Sequence, residues 1–425
     1  MYNKELTNIQ KIILGLQHVF AMFGATIMVP ALTGLNISAT LLSVGIGTLI
    51  FHCITKFKVP IFLGASFVFL LAYNTIAPEG HKELLPYACF GVACSGFVYI
   101  IIALFIKCSK TFKIMRYFPP VVTGSIILSI GLTLAGTAVN NFFKDILIST
   151  IATLTVILCL IFGRGMVKII PVLIGIIVSY IVAAYMGLVD FSAIMQAPWV
   201  GCPLKWHNTV FSIFTSDNVD VNLLITSIFT IAPIAFVCTV EHVGDVVAVS
   251  TTIGKNLVKN PGLHSTLAGD GIATIITSLF GGSANTTYAE NISVLNITKI
   301  YNTIVVSIAA IFAILFSFSP KIAALISSIP TATLGGVSLI LYGMISAIGI
   351  KSLVEAKVDF TKSRNVLIVA IILILSVGIN YSSIGSIVVN IGSLHFQLSG
   401  LAFGSIVGVI LNAILPLDKD EKIIY

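Results

Sequence analysis

Long apolar runs follow one another along the whole chain and are separated by short polar stretches. A helix needs about 20 consecutive apolar residues to cross a bilayer. Runs near that length occur at residues 12–31, 38–55, 60–77, 86–106, 118–136, 146–163, 166–188, 222–250, 265–282, 283–297, 301–319, 328–350, 365–380 and 397–415. The pattern predicts an all-α polytopic membrane protein with about fourteen transmembrane segments, several of them short or interrupted by glycine.

The composition excludes a soluble domain. Hydrophobic residues make up 57% of the 425 positions and charged residues 9%, and the mean hydropathy is +1.08. This apolar content exceeds what the core of a soluble protein needs. No small-residue cleavage site follows the first apolar run, so we expect an uncleaved first helix.

The distribution of basic residues predicts the orientation. With fourteen spans and a cytoplasmic N-terminus, only four of the 23 Lys and Arg residues lie outside: Lys82, Lys144, Lys205 and Lys321. Basic residues concentrate in cytoplasmic loops of membrane proteins. We therefore expect a multi-pass protein of a cell inner (plasma) membrane, with both termini cytoplasmic, and no nucleic-acid partner despite the net charge of +7.

A weak internal repeat divides the chain into two halves. Gln17-His18-Val19 in the first predicted span matches Glu241-His242-Val243 in the eighth. Because seven spans is an odd number, the second half must be inverted relative to the first. Inverted repeats of this kind place their substrate sites near the membrane midplane, at broken helices in corresponding positions.

The third and tenth spans, 60–77 and 283–297, are such broken segments. The second contains Thr286 and Thr287 and is preceded by Gly282, and these residues start a helix poorly and favour extended backbone. Extended backbone inside a membrane is tolerated where it pairs or lines a cavity. We expect two short antiparallel strands there, each followed by a helix N-terminus that attracts an acceptor oxygen.

Four acidic residues lie in or beside these apolar segments: Glu241, Asp245, Asp270 and Glu290. Acids in membrane spans are costly and are usually retained for a substrate, an ion or a proton. Glu241 and Asp245 are four residues apart and share one helix face. Since the eighth span has no Lys or Arg, we expect this pair to share a proton and to serve proton coupling.

Glu290 follows the predicted second strand directly. Its carboxylate accepts hydrogen bonds, while free strand N–H groups donate them. A flat, neutral ring with alternating N–H and C=O groups satisfies both, and nucleobases have that pattern. Phe67 and Tyr288 are candidates to stack on such a ring, with core packing as the alternative.

Other polar residues are expected to support the site. Asp270 either orients the binding segment through a hydrogen bond or caps a helix–helix contact. His18, beside Gln17, is expected to form a hydrogen bond in the core, with contact to the site as the alternative. Tyr342 lies in a span that is a candidate to close over the site.

At these positions the chain resembles the nucleobase–ascorbate transporter (nucleobase:cation symporter-2) family, in particular its bacterial uracil permease branch. The resemblance covers nearly the whole length. It rests on five motifs and on a signature stretch, which are Gln17-His18, Gly64-Ala-Ser-Phe67, Glu241-His-Val-Gly244, Pro261-Gly-Leu-His264, Thr286-Thr-Tyr-Ala-Glu-Asn291 and the stretch from Glu290 to Lys299.

The resemblance implies a 7+7 inverted repeat that is split into two domains. The core domain comprises residues 1–115 and 222–325 (spans 1–4 and 8–11), and the gate domain comprises 116–221 and 326–425 (spans 5–7 and 12–14). The implied substrate-binding residues are Glu241, Glu290, Phe67, Ala289, Tyr288 and Ser66. Asp245 with Glu241 is implied in proton coupling, and Asp270, Gln17, His18, Asn291 and Tyr342 in support.

Three departures bear on the substrate. Uracil permeases can carry His at the position of Asp245, whereas Asp245 and Asp270 resemble the xanthine and uric acid branch. Ser293 replaces a signature glycine. Glu290 favours uracil, because purine members tend to carry Gln there.

We therefore expect a secondary active transporter that imports a nucleobase, with uracil as the expected substrate and xanthine or uric acid as the alternative. Proton symport is expected, and Na⁺ stays open because carboxylates and freed carbonyls also bind it. No cofactor, no metal and no enzymatic reaction is expected. The remaining partners are the lipid bilayer and a second copy, since small residues at the span faces permit a homodimer.

Two other classes fit the residues less well. An anion transporter or channel of similar architecture calls for Arg or Lys at the binding centre, and the broken segments have none there. A membrane enzyme calls for a nucleophile–base pair or a metal cluster.

Overall fold

A computed structural model describes residues 6–78, 81–108, 118–215, 219–391 and 394–416 of the chain. Within these ranges the polypeptide is mainly helical, with two small two-stranded sheets. The prediction of an all-α polytopic protein is confirmed. So are the short antiparallel strands predicted in the third and tenth segments. The expected cytoplasmic termini fall at residues 1–5 and 417–425, outside the described residues.

The helices of the first half are α1 (Asn8–Thr33), α2 (Ile37–Ile54), α3 (Leu70–Ile76), α4 (Leu85–Cys108), α5 (Pro120–Phe142), α6 (Ile146–Phe162), α7 (Met166–Ile169), α8 (Pro171–Tyr185) and α9 (Ser192–Gln196). Strand β1 (Leu63–Ala65) lies between α2 and α3. Short 3₁₀ turns occupy Lys82–Leu84, Trp206–Asn208 and Val210–Thr215.

The helices of the second half are α10 (Val221–Ile231), α11 (Ile234–Ile253), α12 (Leu263–Leu279), α13 (Ala289–Thr298), α14 (Thr303–Ser317), α15 (Pro320–Ser327), α16 (Thr331–Glu355), α17 (Ser363–Tyr381) and α18 (Gly400–Ile414). Strand β2 (Asn285–Thr287) lies between α12 and α13. Strands β3 (Ser386–Ile391) and β4 (Leu394–Ser399) form a hairpin between α17 and α18.

Local sequence fixes how the first two helices begin and end. Thr7 and Gln10 form a capping box at the start of α1. Gly34 ends α1 with a φ of 79°, a backbone conformation that glycine adopts without steric cost. The Asn36 side chain then accepts the N–H of Ala39 and starts α2. The chain therefore reverses between the two helices within three residues.

The order of elements repeats between the halves. The units α1, α2, β1 and α3 correspond to α11, α12, β2 and α13, and β1 pairs with β2 antiparallel. A buried threonine supports each strand in the same way. Thr48 of α2 accepts the N–H of Leu63 at 3.0 Å and donates to its carbonyl at 3.2 Å. Thr274 of α12 forms the same two bonds with Asn285, at 3.3 and 3.4 Å.

These threonines satisfy backbone groups that have no water available at this depth. The strand pair therefore lies inside the helical bundle. Hydroxyl groups of α2 and α12, and not further strands, form hydrogen bonds with the backbone groups at its outer edges.

The helices pack in two sets. Helix α12 packs on α4 and α2, and α14 packs on α2 and α1. In the other set, α16 packs on α5 and α6, and α17 packs on α5 and α18. A Cβ added at Gly131 of α5 would lie 2.2 Å from the carbonyl oxygen of Tyr342 in α16, so a small residue is needed there. The expected domain boundary at 115/116 lies outside the described residues.

The number of spans is less well defined than the fold class. Seven helices or helix pairs in the described ranges are long and apolar enough to cross a membrane, and α14 with α15, bent by 85°, makes up to eight. Helices α6, α8 and α18 are apolar but shorter. Every predicted segment contains a helix or a strand–helix unit, and the number of fourteen stays a prediction.

Two local features differ from the sequence-based expectation. The predicted segment 222–250 is divided into α10 and α11, because Pro233 removes one backbone donor at the junction. The hairpin of β3 and β4 was not predicted, and it takes residues 397–399 from the start of the last predicted span.

Candidate binding site

The strand pair at the centre of the bundle brings the two broken segments together. Gly64 lies opposite Thr286 in the register. The ladder continues beyond the strands, because Ser66 N–H donates to Ala284 O at 2.9 Å and Tyr288 N–H donates to Phe62 O at 3.1 Å. Helix α3 follows the first strand and α13 follows the second. Since the strands run antiparallel, the two helices leave the sheet from opposite ends and their N-termini both point at its centre.

These N-termini supply donors to the site. The first N–H groups of a helix have no acceptor within it. In the described part of the chain, the N–H of Phe67 has no hydrogen-bond acceptor. Helix α13 begins at Ala289, directly after the second strand. The predicted combination of strands and helix N-termini is therefore present.

Two acids of α11 face the second strand. Thr286 Oγ1 donates to Glu241 Oε2 at 3.2 Å, and Thr287 Oγ1 donates to Asp245 Oδ2. Both acids are half-buried. The spacing of four residues does place them on one helix face, and each binds a different threonine of β2.

Glu290 lies in the first turn of α13 and is half-buried. Its carboxylate accepts its own backbone N–H. Among the described residues, no Lys or Arg forms an ion pair with Glu241, Asp245 or Glu290. The three acids lie close to the same strand and helix start, without a cationic partner from the protein.

The ring of Phe67 meets α16. Phe67 and Tyr342 form an edge-to-face contact with ring centroids 5.7 Å apart. Tyr342 is 1% exposed and Phe67 is 7% exposed. The contact joins the start of α3 to the helix that was predicted to close over the site.

Tyr288 is held within the protein. Its hydroxyl donates to Ala65 O at 2.9 Å and accepts from Thr26 Oγ1 at 3.4 Å. A Cβ added at Gly64 would lie 2.1 Å from Cζ of Tyr288, so the ring lies flat against the glycine. This geometry favours packing over stacking on a ligand. Ser66 is fully buried, with its hydroxyl beside the Cys238 thiol.

Asp270 pairs with a histidine that the sequence analysis did not select. Asp270 Oδ2 lies 3.1 Å from His242 Nδ1, and both side chains are buried. Asp270 therefore lies at a contact between α12 and α11. His242 follows Glu241 in sequence and projects towards α12, away from the face of the acids.

His18 is tied to the residue after Glu290. The Asn291 amide lies 3.0 Å from His18 Nδ1, and it donates to His18 O at 3.3 Å. Both residues are buried, and Gln17 is half-buried beside them. Helix α1 therefore holds the first turn of α13, the part of the chain that presents Glu290.

The main omission of the sequence analysis is the role of Thr286 and Thr287. They were used only as evidence for extended backbone, because 45 and 42 positions separate them from Glu241 and Asp245, and no local pattern in the sequence joins residues so far apart. Within the described ranges, no group of three or more His, Cys, Asp or Glu side chains is arranged to hold a metal ion.

Comparison with known proteins gives a consistent result along the chain. A family model described as "Permease family" matches residues 9–384. The uracil permease of Bacillus caldolyticus is 42% identical, over 96% of this chain and 92% of that protein. The uracil permeases of Bacillus subtilis (strain 168) and Escherichia coli (strain K12) are 40% and 39% identical, each over 96% of this chain and 93% and 92% of their own lengths.

Solved structures with the same fold are more distant in sequence. The transmembrane domain of the cyanobacterial bicarbonate transporter BicA is 16% identical with a TM-score of 0.63, covering 97% of this chain and 98% of that one. Murine solute carrier 26 family member A9, an anion transporter solved in the inward-facing state, is 12% identical with a TM-score of 0.63, covering 97% and 69%. These structures have the inverted-repeat fold, which confirms that part of the predicted fold class.

Proposed function

The chain belongs to this permease family, the nucleobase–ascorbate transporter (nucleobase:cation symporter-2) family that its motifs indicated, and on that premise we propose that it imports uracil. Family membership indicates a multi-pass membrane transporter rather than an enzyme. The observation that carries the substrate is the 42% identity, over 96% of the chain, to a protein named uracil permease.

The site has the hydrogen-bonding groups that uracil needs. Uracil presents two ring N–H donors and two carbonyl acceptors in one plane. We place it between the strands, with Glu241 and Glu290 accepting its N–H groups. The backbone N–H of Phe67 and the first N–H groups of α13, from Ala289 onward, donate to its carbonyls. The Phe67 ring, edge-on to Tyr342, covers one face of the base, and Ser66 and Tyr288 hold the strand geometry.

The acids of α11 support the proposal of proton symport. Two half-buried carboxylates on one helix face, with hydroxyl donors and no Lys or Arg ion pair in the described residues, favour a shared proton. Asp245 takes up this proton, and Glu241 couples the protonation of Asp245 to the binding of the base. Sodium is the rival coupling ion, because carboxylates and hydroxyl oxygens also bind it.

Transport proceeds by alternating access. The core, residues 1–115 and 222–325, moves against the gate, residues 116–221 and 326–425, while the base stays between the strands. Helices α5 and α18 of the gate pack against α11, so the acids lie at the boundary that must open. The protein works in the inner (plasma) membrane with cytoplasmic termini, and small residues on its surface permit a homodimer.

Uptake of radiolabelled uracil tests the proposal, in cells that lack their own uracil permease. We expect uptake that resists excess xanthine and disappears with a protonophore, but survives replacement of Na⁺ by choline. Strong competition by xanthine would assign the protein to purines, in agreement with Asp245 and Asp270. Dependence on Na⁺ would replace the proton as the coupling ion, and absence of uracil uptake would reject the substrate.

A further inference from the structure

One cavity of the described structure is not lined by any of the three acids. It has a volume of about 520 Å³ and lies where α1 turns into α2, under the segment Cys202–Asn208. Its walls come from the C-terminal end of α1, the first turn of α2, helix α15 and the first turn of α16. Neither the acids of α11 and α13 nor the central strands line it, so it is separate from the proposed uracil site.

Basic residues line this cavity, and two of them are lysines. Lys82, Lys205 and His207 contribute to its wall, and no Asp or Glu does. The two lysines form no ion pair within the described ranges of the chain. A concave surface with one sign of charge and low-dielectric walls concentrates the opposite ion.

The start of α2 adds hydrogen-bond donors. Asn36 caps Ala39, which leaves the N–H groups of Ile37 and Ser38 without acceptors among the described residues. Ser38 lines the cavity, is only 8% exposed, and its hydroxyl has no hydrogen-bond partner in the described part of the protein. Its hydroxyl is therefore available to donate a hydrogen bond to a ligand in the cavity.

A second helix start lies on the same cavity. Helix α16 begins at Thr331, which lines the wall, and no side chain caps this helix. The N-termini of two helices, two lysines and the Ser38 hydroxyl therefore line the same cavity, and each of them favours an anion. Such a set of donors binds an oxyanion.

We propose that this cavity is a binding site for a small oxyanion, such as inorganic phosphate or a carboxylate. The anion accepts hydrogen bonds from Ser38 and from the N–H groups at the start of α2, and Lys82 and Lys205 neutralise its charge. Because α2 and α16 both line the cavity, a bound anion joins the two sets of helices at this end of the protein.

Thermal unfolding of the purified full-length protein tests binding without any transport. Inorganic phosphate is titrated against sodium chloride of equal ionic strength. We expect phosphate to raise the melting temperature in a saturable manner, and the Lys82→Gln/Lys205→Gln variant to lose this rise. Lys144→Gln removes an exposed lysine that does not line the cavity, and it should behave as the wild type. Ser38→Ala, which keeps the charge, should weaken the apparent affinity several-fold.

A rise that does not saturate, or that persists unchanged in the double lysine variant, would overturn the proposal. Cys202 gives a second measurement at the same place, because it is exposed and lines the cavity. Its labelling is followed by mass spectrometry of the Cys202 peptide. An anionic methanethiosulfonate should react faster than a cationic one. A lysine charge about 8 Å away in water changes the rate of each reagent by about twofold in opposite directions, so each lysine contributes about a fivefold preference for the anionic reagent.

The Lys82→Gln/Lys205→Gln variant should lose the preference of Cys202 for the anionic reagent. Phosphate should slow the reaction of Cys202 with that reagent. Equal rates for the two reagents would contradict a basic cavity. Protection of Cys202 by uracil and not by phosphate would assign the cavity to the uracil path and so reject the oxyanion site.

Discussion

Two threonine hydroxyls position the carboxylates of the two acids in α11. Thr286 and Thr287 are adjacent in β2, yet their hydroxyls reach Glu241 and Asp245, which are one helical turn apart. Each hydroxyl has a single proton to donate, so each fixes one carboxylate oxygen and leaves the other oxygen of that group for a ligand or a proton. The strand therefore positions the acids as well as the backbone donors.

Removing the Thr286 hydroxyl tests this positioning. Thr286→Val keeps the shape of the side chain but loses the donor to Glu241. A hydrogen bond to a charged group contributes about 1.5–3 kcal/mol, so we expect uracil binding to weaken by about tenfold or more. Thr286→Ser keeps the hydroxyl and should bind within a few-fold of the wild type. Isothermal titration with purified protein measures both, and equal affinities would remove Thr286 from the site.

The proton-coupling role of Asp245 predicts a specific change in pH dependence. Asp245→Asn mimics the protonated carboxyl group permanently. We expect uracil binding to become independent of pH across the neutral range, while uphill accumulation in cells is lost because no proton is carried. Binding assays on membranes and uptake in cells separate the two effects. The exposed Glu355 provides the control, since Glu355→Gln should change neither. An Asp245→Asn variant with the wild-type pH profile of uptake would exclude this role.

At the scale of elements, the sequence predicts some strands and misses others for a physical reason. The central strands were predicted because glycines and threonines interrupt apolar runs that must span a membrane. The hairpin of β3 and β4 was missed because its second strand runs directly into α18, and residues 397–399 fit the start of the last predicted span. Its signal was present as Ile387-Val-Val in the first strand, followed by Gly392-Ser393 and an alternating Leu-His-Phe-Gln-Leu.

Gly64 of β1 packs closely against Tyr288, the residue before α13. This contact predicts the effect of adding a single methyl group at Gly64. In Gly64→Ala the new Cβ would lie 2.1 Å from Tyr288 Cζ, so the ring or the strand must move. Overpacking of this kind costs about 1–3 kcal/mol, and the displaced Tyr288 would lose its bond to Ala65 O. We expect a lower melting temperature and a large loss of uracil uptake.

Gly343→Ala is the matched control for this substitution, because nothing lies within 4 Å of the added Cβ in α16. It should leave uptake and stability close to the wild type. If Gly64→Ala were equally harmless, the close contact between the glycine and the Tyr288 ring would not constrain the site.

At the scale of the whole molecule, the periodicity of apolar residues and the positions of charges predict the segments and their arrangement. They do not predict which side chains form contacts between segments. The repeat and the positions of the acids predicted that the two broken segments come together. The Asp270–His242 pair and the Asn291–His18 contact join residues 28 and 273 positions apart, and no local pattern selects those partners. The first contact joins α11 to α12 and the second joins α13 to α1, so both fix helices that carry the acids.

The proposed motion of core against gate predicts that a covalent link between them stops transport even far from uracil. The N–H of Gln397 in β4 lies 3.4 Å from Thr230 Oγ1 in α10, so the hairpin of the proposed gate touches the proposed core. In a background without the native cysteines, we expect oxidation of the Thr230→Cys/Gln397→Cys variant to form a disulfide and to abolish uracil uptake. Reductant should restore uptake.

A link within the gate separates this effect from a general loss of flexibility. Ser346 Oγ of α16 donates to Leu128 O of α5 at 3.1 Å, and both helices belong to the proposed gate. Ser346→Cys/Leu128→Cys should therefore form a disulfide and keep its uptake, because the two helices move together. Non-reducing electrophoresis verifies both links. If the linked Thr230–Gln397 protein transported as well as its reduced form, α10 and the hairpin would move as one body, and the boundary between core and gate would have to be drawn elsewhere.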